Sequence, residues 1–492
     1  MKFRETVIVS GGLLVQQATV FATSILIART LGPVAFGALG TLKSLSSVLL
    51  IVTPLGLDLA LLKHASFYHD RPRQLRTISR ALRILVAGLN LLLLVLVAAW
   101  LGGALQAIYE DIPDFSLLCL ITMVGMVFAT DVQISGALYR AFNRVVAYSV
   151  IVNYSQPIFR LVLSGLVLFG GGGVESLVWV NTAMFLYAFA ALMFDNRANQ
   201  IRPLPMRVLL MARKAQSVLS ESLWMALSLL IYQAIRLVDI LILAALTSTQ
   251  IVGEYTAMST VAQLIQIYPI AISQTLGPSI ALFYKRGDMA AIVAELRAYL
   301  RRATLLGGYL FGGIAVFGTD LDLVFGQSFS FPWPLAFLLA FGWYVSAILA
   351  PFGYVLSMTG RHRLELVILS AGAVLLVACL LVLIPAFQAT GAALSVAIVF
   401  VTVNAVRCAT VIGILQRNPL RLTDLLPPAG LLLAALLCRE AGILLNARHL
   451  WTLILECVAY SALVGAGYVF LLANAGERQA VARIWASRVR LS

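Results

Sequence analysis

Apolar residues run through this chain in long blocks, parted by short polar or Gly/Pro-marked breaks. A block of roughly 20 apolar residues is long enough to cross a bilayer as a helix. The pattern predicts fourteen such helices, at 7–28, 37–62, 84–105, 115–139, 148–169, 176–194, 218–246, 253–284, 303–317, 333–358, 365–385, 390–415, 426–445 and 450–473. The first break sets the style of the rest. In 25–40, ILIARTLGPVAFGALG, the Gly32-Pro33 pair interrupts one apolar block and a second begins at once. Gly-Pro breaks helices, and a turn this short lays its two helices side by side.

Composition narrows the class. Of the 492 residues 61% are hydrophobic and only 11% charged, against ~25% charged in soluble domains. Such a chain cannot cover a water-facing surface, so a soluble enzyme or binding module is excluded. The net charge of +14 does not signal nucleic acid, because no basic segment is interleaved with exposed aromatics. Lys and Arg fall into alternate loops instead. Lys2 and Arg4 begin the series, Arg71, Arg73, Arg76, Arg80 and Arg83 follow, and Arg478, Arg483, Arg488 and Arg490 close it. Only Arg29 and Arg448 lie in the loops between them. The positive-inside rule therefore predicts a multi-pass protein of the cytoplasmic membrane with both termini cytoplasmic. Cys119, Cys379, Cys408, Cys438 and Cys457 all sit in apolar runs with no C-x-x-C spacing, so they read as packed side chains.

The basic, Pro-containing stretch around Pro203 and Pro205 divides the helices. The expected organisation is a six-helix lobe at 1–195, a linker at 196–217, a second six-helix lobe at 218–415, and two further helices with a basic tail at 416–492. The lobes show a faint repeat at an offset of 216 residues, which aligns Ala28 with Ala244, Gly37 with Gly253 and Ser44 with Thr260. Six helices per copy keep both copies in one orientation, so the repeat is parallel, about an axis along the membrane normal.

Catalytic motifs are missing: there is no P-loop, HExxH, GxSxG or metal-ligand cluster, and no cofactor is implied. The informative residues are polar groups inside the spans, since an intramembrane charge is expensive and marks function by default. Asn153, Gln156 and Arg160 are spaced i, i+3 and i+7, which puts them on one face of a regular helix. Arg160 either faces a cavity or pairs with Asp131 on the preceding helix. Arg236 and Asp239, at i and i+3, either form a local ion pair or serve a site. Lys43 lies near one end of the second helix and Asp58 near the other. Gln263 and Gln266 begin a polar stripe on the eighth helix, broken by Pro269 and Pro278. Gly308 and Gly312 form a G-x-x-x-G, the signature of close helix packing.

These residues carry a resemblance. The polar-flecked first helix ending ILIARTLGPVAFG and the segment LDLVFGQSFSFPWP at 321–334 resemble bacterial polysaccharide flippases of the Wzx type. These belong to the multidrug/oligosaccharidyl-lipid/polysaccharide exporter superfamily, and the helix count and parallel repeat agree with it. The resemblance implies two helical lobes around a cavity, and a flippase moving an undecaprenyl-pyrophosphate-linked oligosaccharide from the inner to the outer leaflet for O-antigen or related surface polysaccharide. It implies lipid-linked oligosaccharide and membrane lipids as partners, and a polysaccharide polymerase as a further one. Cations suit the pyrophosphate, with Arg offering bidentate contact. The expected substrate residues are Arg160, then Arg236 and Lys43, with Asn153, Gln156, Gln263 and Gln266 toward sugar hydroxyls. Two other readings stand beside this one. A proton- or sodium-coupled drug or metabolite antiporter of the same superfamily would use Asp58 or Asp239. A membrane-embedded glycosyltransferase or ligase would need larger outside loops than this chain has.

Overall fold

The computed structural model describes residues 3–53, 72–141, 144–198, 230–231, 235–420, 426–444 and 450–467. Asp58, most of the linker, the start of the seventh helix and the basic tail lie outside the described residues. Every described element is helical. In chain order these are α1 (Phe3–Val52), α2 (Pro72–Leu96), α3 (Gly102–Ile108), α4 (Phe115–Ala141), α5 (Val145–Ser149), α6 (Gln156–Phe169) and α7 (Val174–Ala198). Next come α8 (235–246), α9 (Thr249–Ala262), α10 (Ile267–Lys285), α11 (Met289–Phe317), α12 (Asp322–Phe325), α13 (Trp333–Met358) and α14 (His362–Leu415). The last two are α15 (Leu426–Leu444) and α16 (Leu450–Gly467). Eight helical stretches among the described residues are long and apolar enough to cross a membrane. The chain is an all-α, multi-pass membrane protein.

Two of those stretches are double. α1 breaks at Gly32, whose φ of 77° is open to glycine and strained for other residues. α14 breaks at Gln388, φ 49°, three residues after Pro385. Both breaks fall where the apolar pattern pauses. Elsewhere the helices outrun the apolar blocks that announce them. α2 is already helical at Pro72, twelve residues before the expected 84. α11 starts at Met289 and not at 303, because the Asp288 side chain caps it, accepting from Ala291 N–H at 2.9 Å. A span ends with its hydrocarbon length, whereas a helix ends at its cap, so basic stretches read as loop are partly helical.

The chain forms two compact units. The first comprises residues 1–261, 325–330 and 361–403. Within it α4 packs on α7, and α1 packs on α6. The tightest approach is between the second limb of α1 and α9. A Cβ on Gly37 would collide with the Thr249 carbonyl oxygen, and one on Gly253 with that of Pro33. Pro33 and Thr249 are equivalent under the 216-residue offset, as are Gly37 and Gly253. The contact is thus reciprocal: each copy's glycine meets the same position of the other, as a two-fold relation demands. One turn further along, Gly40 meets its own equivalent, Thr256, with a Cβ on Gly40 standing 2.8 Å from Thr256 Oγ1. Equal heights meeting along both helices is what a parallel repeat produces.

The second unit comprises 262–324, 331–360 and 404–492. Here α11 is central, packed against α13 and α15. Gly312 of the G-x-x-x-G lies against the Leu431 carbonyl and the Tyr460 hydroxyl, as close helix packing requires. Arg439 donates to the Val316 carbonyl at 2.6 Å, tying α15 to the end of α11.

Candidate functional site

Within the first unit both limbs of α1, together with α4, α6, α7 and α9, enclose a cavity of about 90 Å³. At ~10–15 Å³ per water this holds roughly six to nine waters, enough for a small hydrated anion and not for a sugar chain. Ser24 comes from the first limb of α1, and Gly40, Lys43 and Ser46 from the second. Thr122 comes from α4, Arg160 and Ser164 from α6, Asn181 from α7, and Thr256 and Thr260 from α9.

The two cations define its character. Lys43 keeps accessible surface although it lies deep among the helices, and Arg160 is half-buried. Both line the same cavity. Among the described residues no acidic side chain lines the cavity, and no carboxylate pairs with either cation. Asp131, the alternative partner for Arg160, is engaged elsewhere. Its carboxylate lies 3.3 Å from Arg83 Nε, and Arg83 also donates to Ser135 Oγ at 2.7 Å. Two like charges with no counter-ion among the described residues, walled by hydroxyl and amide groups, suit an anion.

Of Asn153, Gln156 and Arg160 only Arg160 lines the cavity, and the helix between them is irregular. Residues Val150–Ser155 are a π-helical stretch, and Gln156 N–H bonds to the Ile151 carbonyl five residues back. Pro157 has no N–H to return to Asn153, so a normal turn could not close there. The wider turn changes the angle per residue from that of a regular helix. Arg160 reaches the cavity. Asn153 donates to Ser149 Oγ at 3.0 Å, and Gln156 is buried; neither lines the cavity. Tyr154, from the same stretch, reaches α1 and donates to the Ile8 carbonyl at 2.8 Å, beside Gly11 and Gly12.

The remaining expected residues are placed apart from this cavity. Arg236 is half-buried on α8. Asp239, on the same helix, is 4% exposed and accepts from the Tyr255 hydroxyl at 2.5 Å and from Ile240 N–H at 2.9 Å. Gln263 and Gln266 belong to a 3-10 turn (Gln263–Gln266), and Gln266 donates to the Trp343 carbonyl at 3.3 Å within the second unit. Conversely, Ser24, Thr122, Ser164, Asn181, Thr256 and Thr260 line the cavity without any signal that pattern reading could isolate. Serines and threonines are common in spanning helices, where most back-bond to their own helix.

Residues 3–283 match the family described as "Polysaccharide biosynthesis protein". No curated protein matches the chain by sequence. Among solved structures, the chain is similar to the lipid II flippase MurJ in an inward closed conformation, at a TM-score of 0.73 and 12% identity, covering 95% of this chain and 100% of that one. It is also similar to an inward-facing multidrug resistance MATE family transporter of the MOP superfamily, at 0.67 and 13%, covering 82% and 96%. An outward-facing MATE family transporter gives 0.59 at 12%, covering 84% and 96%. At these identities the likeness concerns the fold. With the family match spanning more than half of its length, the chain belongs to the polysaccharide biosynthesis protein family, and it is built on the fold that MurJ and the MATE transporters share.

Proposed function

We propose that this protein is a flippase that moves a lipid-linked oligosaccharide, joined through pyrophosphate to an undecaprenyl carrier, from the inner to the outer leaflet of the bacterial cytoplasmic membrane. The observation that carries this reading is the cavity with Lys43 and Arg160 and, among the described residues, no carboxylate on its wall. A diphosphate is the charged part of such a lipid, and two cations held in a low-dielectric setting are matched to it. The small cavity suits the phosphates alone. Sugars then follow in a wider, wetter space while the lipid tail stays in the bilayer. Membership of a polysaccharide biosynthesis family supports the cargo class, and the fold supports transport over chemistry. The direct test is deletion of the gene: lipid-linked oligosaccharide should accumulate on the cytoplasmic leaflet and surface polysaccharide should fall. Normal surface polysaccharide in the deletion strain would refute the reading.

One observation favours a second reading, a cation-coupled exporter. Asp239 is a carboxylate buried inside the first unit and held by Tyr255. If drug or metabolite export depends on an ion bound there, Asp239→Asn should abolish gradient-driven transport and leave pyrophosphate binding in the Lys43 cavity unchanged.

A further inference from the structure

Most cavity hydroxyls are already spent. Ser24 donates to the Val20 carbonyl at 2.9 Å, Ser46 to Leu42 at 2.6 Å, Thr122 to Leu118 at 2.8 Å and Thr260 to Thr256 at 2.8 Å. Each is the ordinary back-bond to the residue four before it. Thr256 departs from this habit. It lines the same cavity and is 8% exposed, and its Oγ1 is buried with no hydrogen-bond partner among the described residues. An unmet buried hydroxyl is costly, which points to a partner that the site itself receives. Gly40 faces that oxygen directly, and any side chain at 40 would crowd it.

We propose that the Thr256 hydroxyl donates to an oxygen of the phosphoryl group held by Lys43 and Arg160, so that a single anion joins α1, α6 and α9. The inference rests on the anion reading of the cavity and adds its third donor. It also gives the site a place in the repeat. Thr256 sits one turn from Gly253, and Gly40 one turn from Gly37, so the anion lies next to the crossing where the two copies touch backbone to backbone. The first copy supplies both charges and the second copy supplies a hydroxyl where the first has glycine. A bound phosphoryl group therefore clamps the two copies together at this crossing.

The test uses the purified full-length protein and inorganic pyrophosphate as probe, followed by calorimetry. A hydrogen bond to a charged group is worth about tenfold to a hundredfold in affinity. T256V, which keeps the shape and removes the hydroxyl, should weaken binding by about that factor, and T256S should bind within about threefold of the wild type. Wild-type affinity in T256V overturns the inference while leaving the anion site in place. A loss in T256S equal to that in T256V also overturns it, since the serine retains the hydroxyl. If the wild-type protein binds no pyrophosphate, or if R160A and K43A bind it as the wild type does, the anion reading falls and this inference falls with it.

Discussion

A guanidinium inside a spanning helix survives by pairing with a carboxylate, by reaching the interface, or by facing a wet cavity. Arg160 lines a cavity, and Asp131, the carboxylate of the neighbouring helix, is held by Arg83. Two predictions belong at this scale. Arg160→Ala should weaken pyrophosphate binding roughly thirtyfold or more, as truncating one partner of a buried charge pair does, and should abolish complementation of a deletion strain. Arg160→Lys keeps the charge without the fork and should retain part of the activity. Unchanged complementation by the Ala variant would remove Arg160 from the site. The second concerns Arg83→Met, which strands the Asp131 carboxylate. It should destabilise the protein by about 1–3 kcal/mol, read as a lower thermal midpoint in detergent, and adding Asp131→Asn should restore part of the loss. The charge of Arg160 was legible in the sequence because charges in apolar blocks are rare. Thr256 was not, because its distinction is a bond it fails to make.

At the scale of elements, two local geometries decide the site. The π stretch Val150–Ser155 lies just before Pro157 on the helix that brings Arg160 to the cavity, whose lining does not include Asn153 or Gln156. The i, i+3, i+7 spacing was read with 3.6 residues per turn throughout, so it could not register the change. The other geometry is the backbone contact of Gly37 and Gly253. Small residues permit such an approach between spanning helices. Gly253→Ala would place a methyl group against the Pro33 carbonyl. Overpacking of this kind costs about 1–3 kcal/mol, so the variant should show a lower thermal midpoint and impaired transport. Gly88→Ala is the matched control, since nothing lies within 4 Å of a Cβ there. It should be neutral or slightly stabilising, because alanine is the better helix former by ~1 kcal/mol. Equal behaviour of the two variants would show that the crossing tolerates separation.

At the scale of the whole molecule, the expectation to check is orientation. Reporter fusions should place both termini in the cytoplasm, as the alternation of basic loops demands; an external C-terminus would break the helix order. What the sequence by itself determined is the class of the protein: an all-helical, multi-pass membrane chain with breaks at Gly32 and after Pro385, and charges worth asking about. These follow from quantities that add along the chain, namely apolar length, charge per loop and the backbone limits of glycine and proline. What only the tertiary structure decided is which polar groups share a space. Gly40 and Thr256 are 216 residues apart in the chain and in contact in the fold. Arg160, Lys43 and Thr256 meet because three helices pack at particular heights and rotations, and a single π turn or cap resets both. Rotation and height are properties of packing, and linear spacing carries neither across a turn whose geometry it does not reveal.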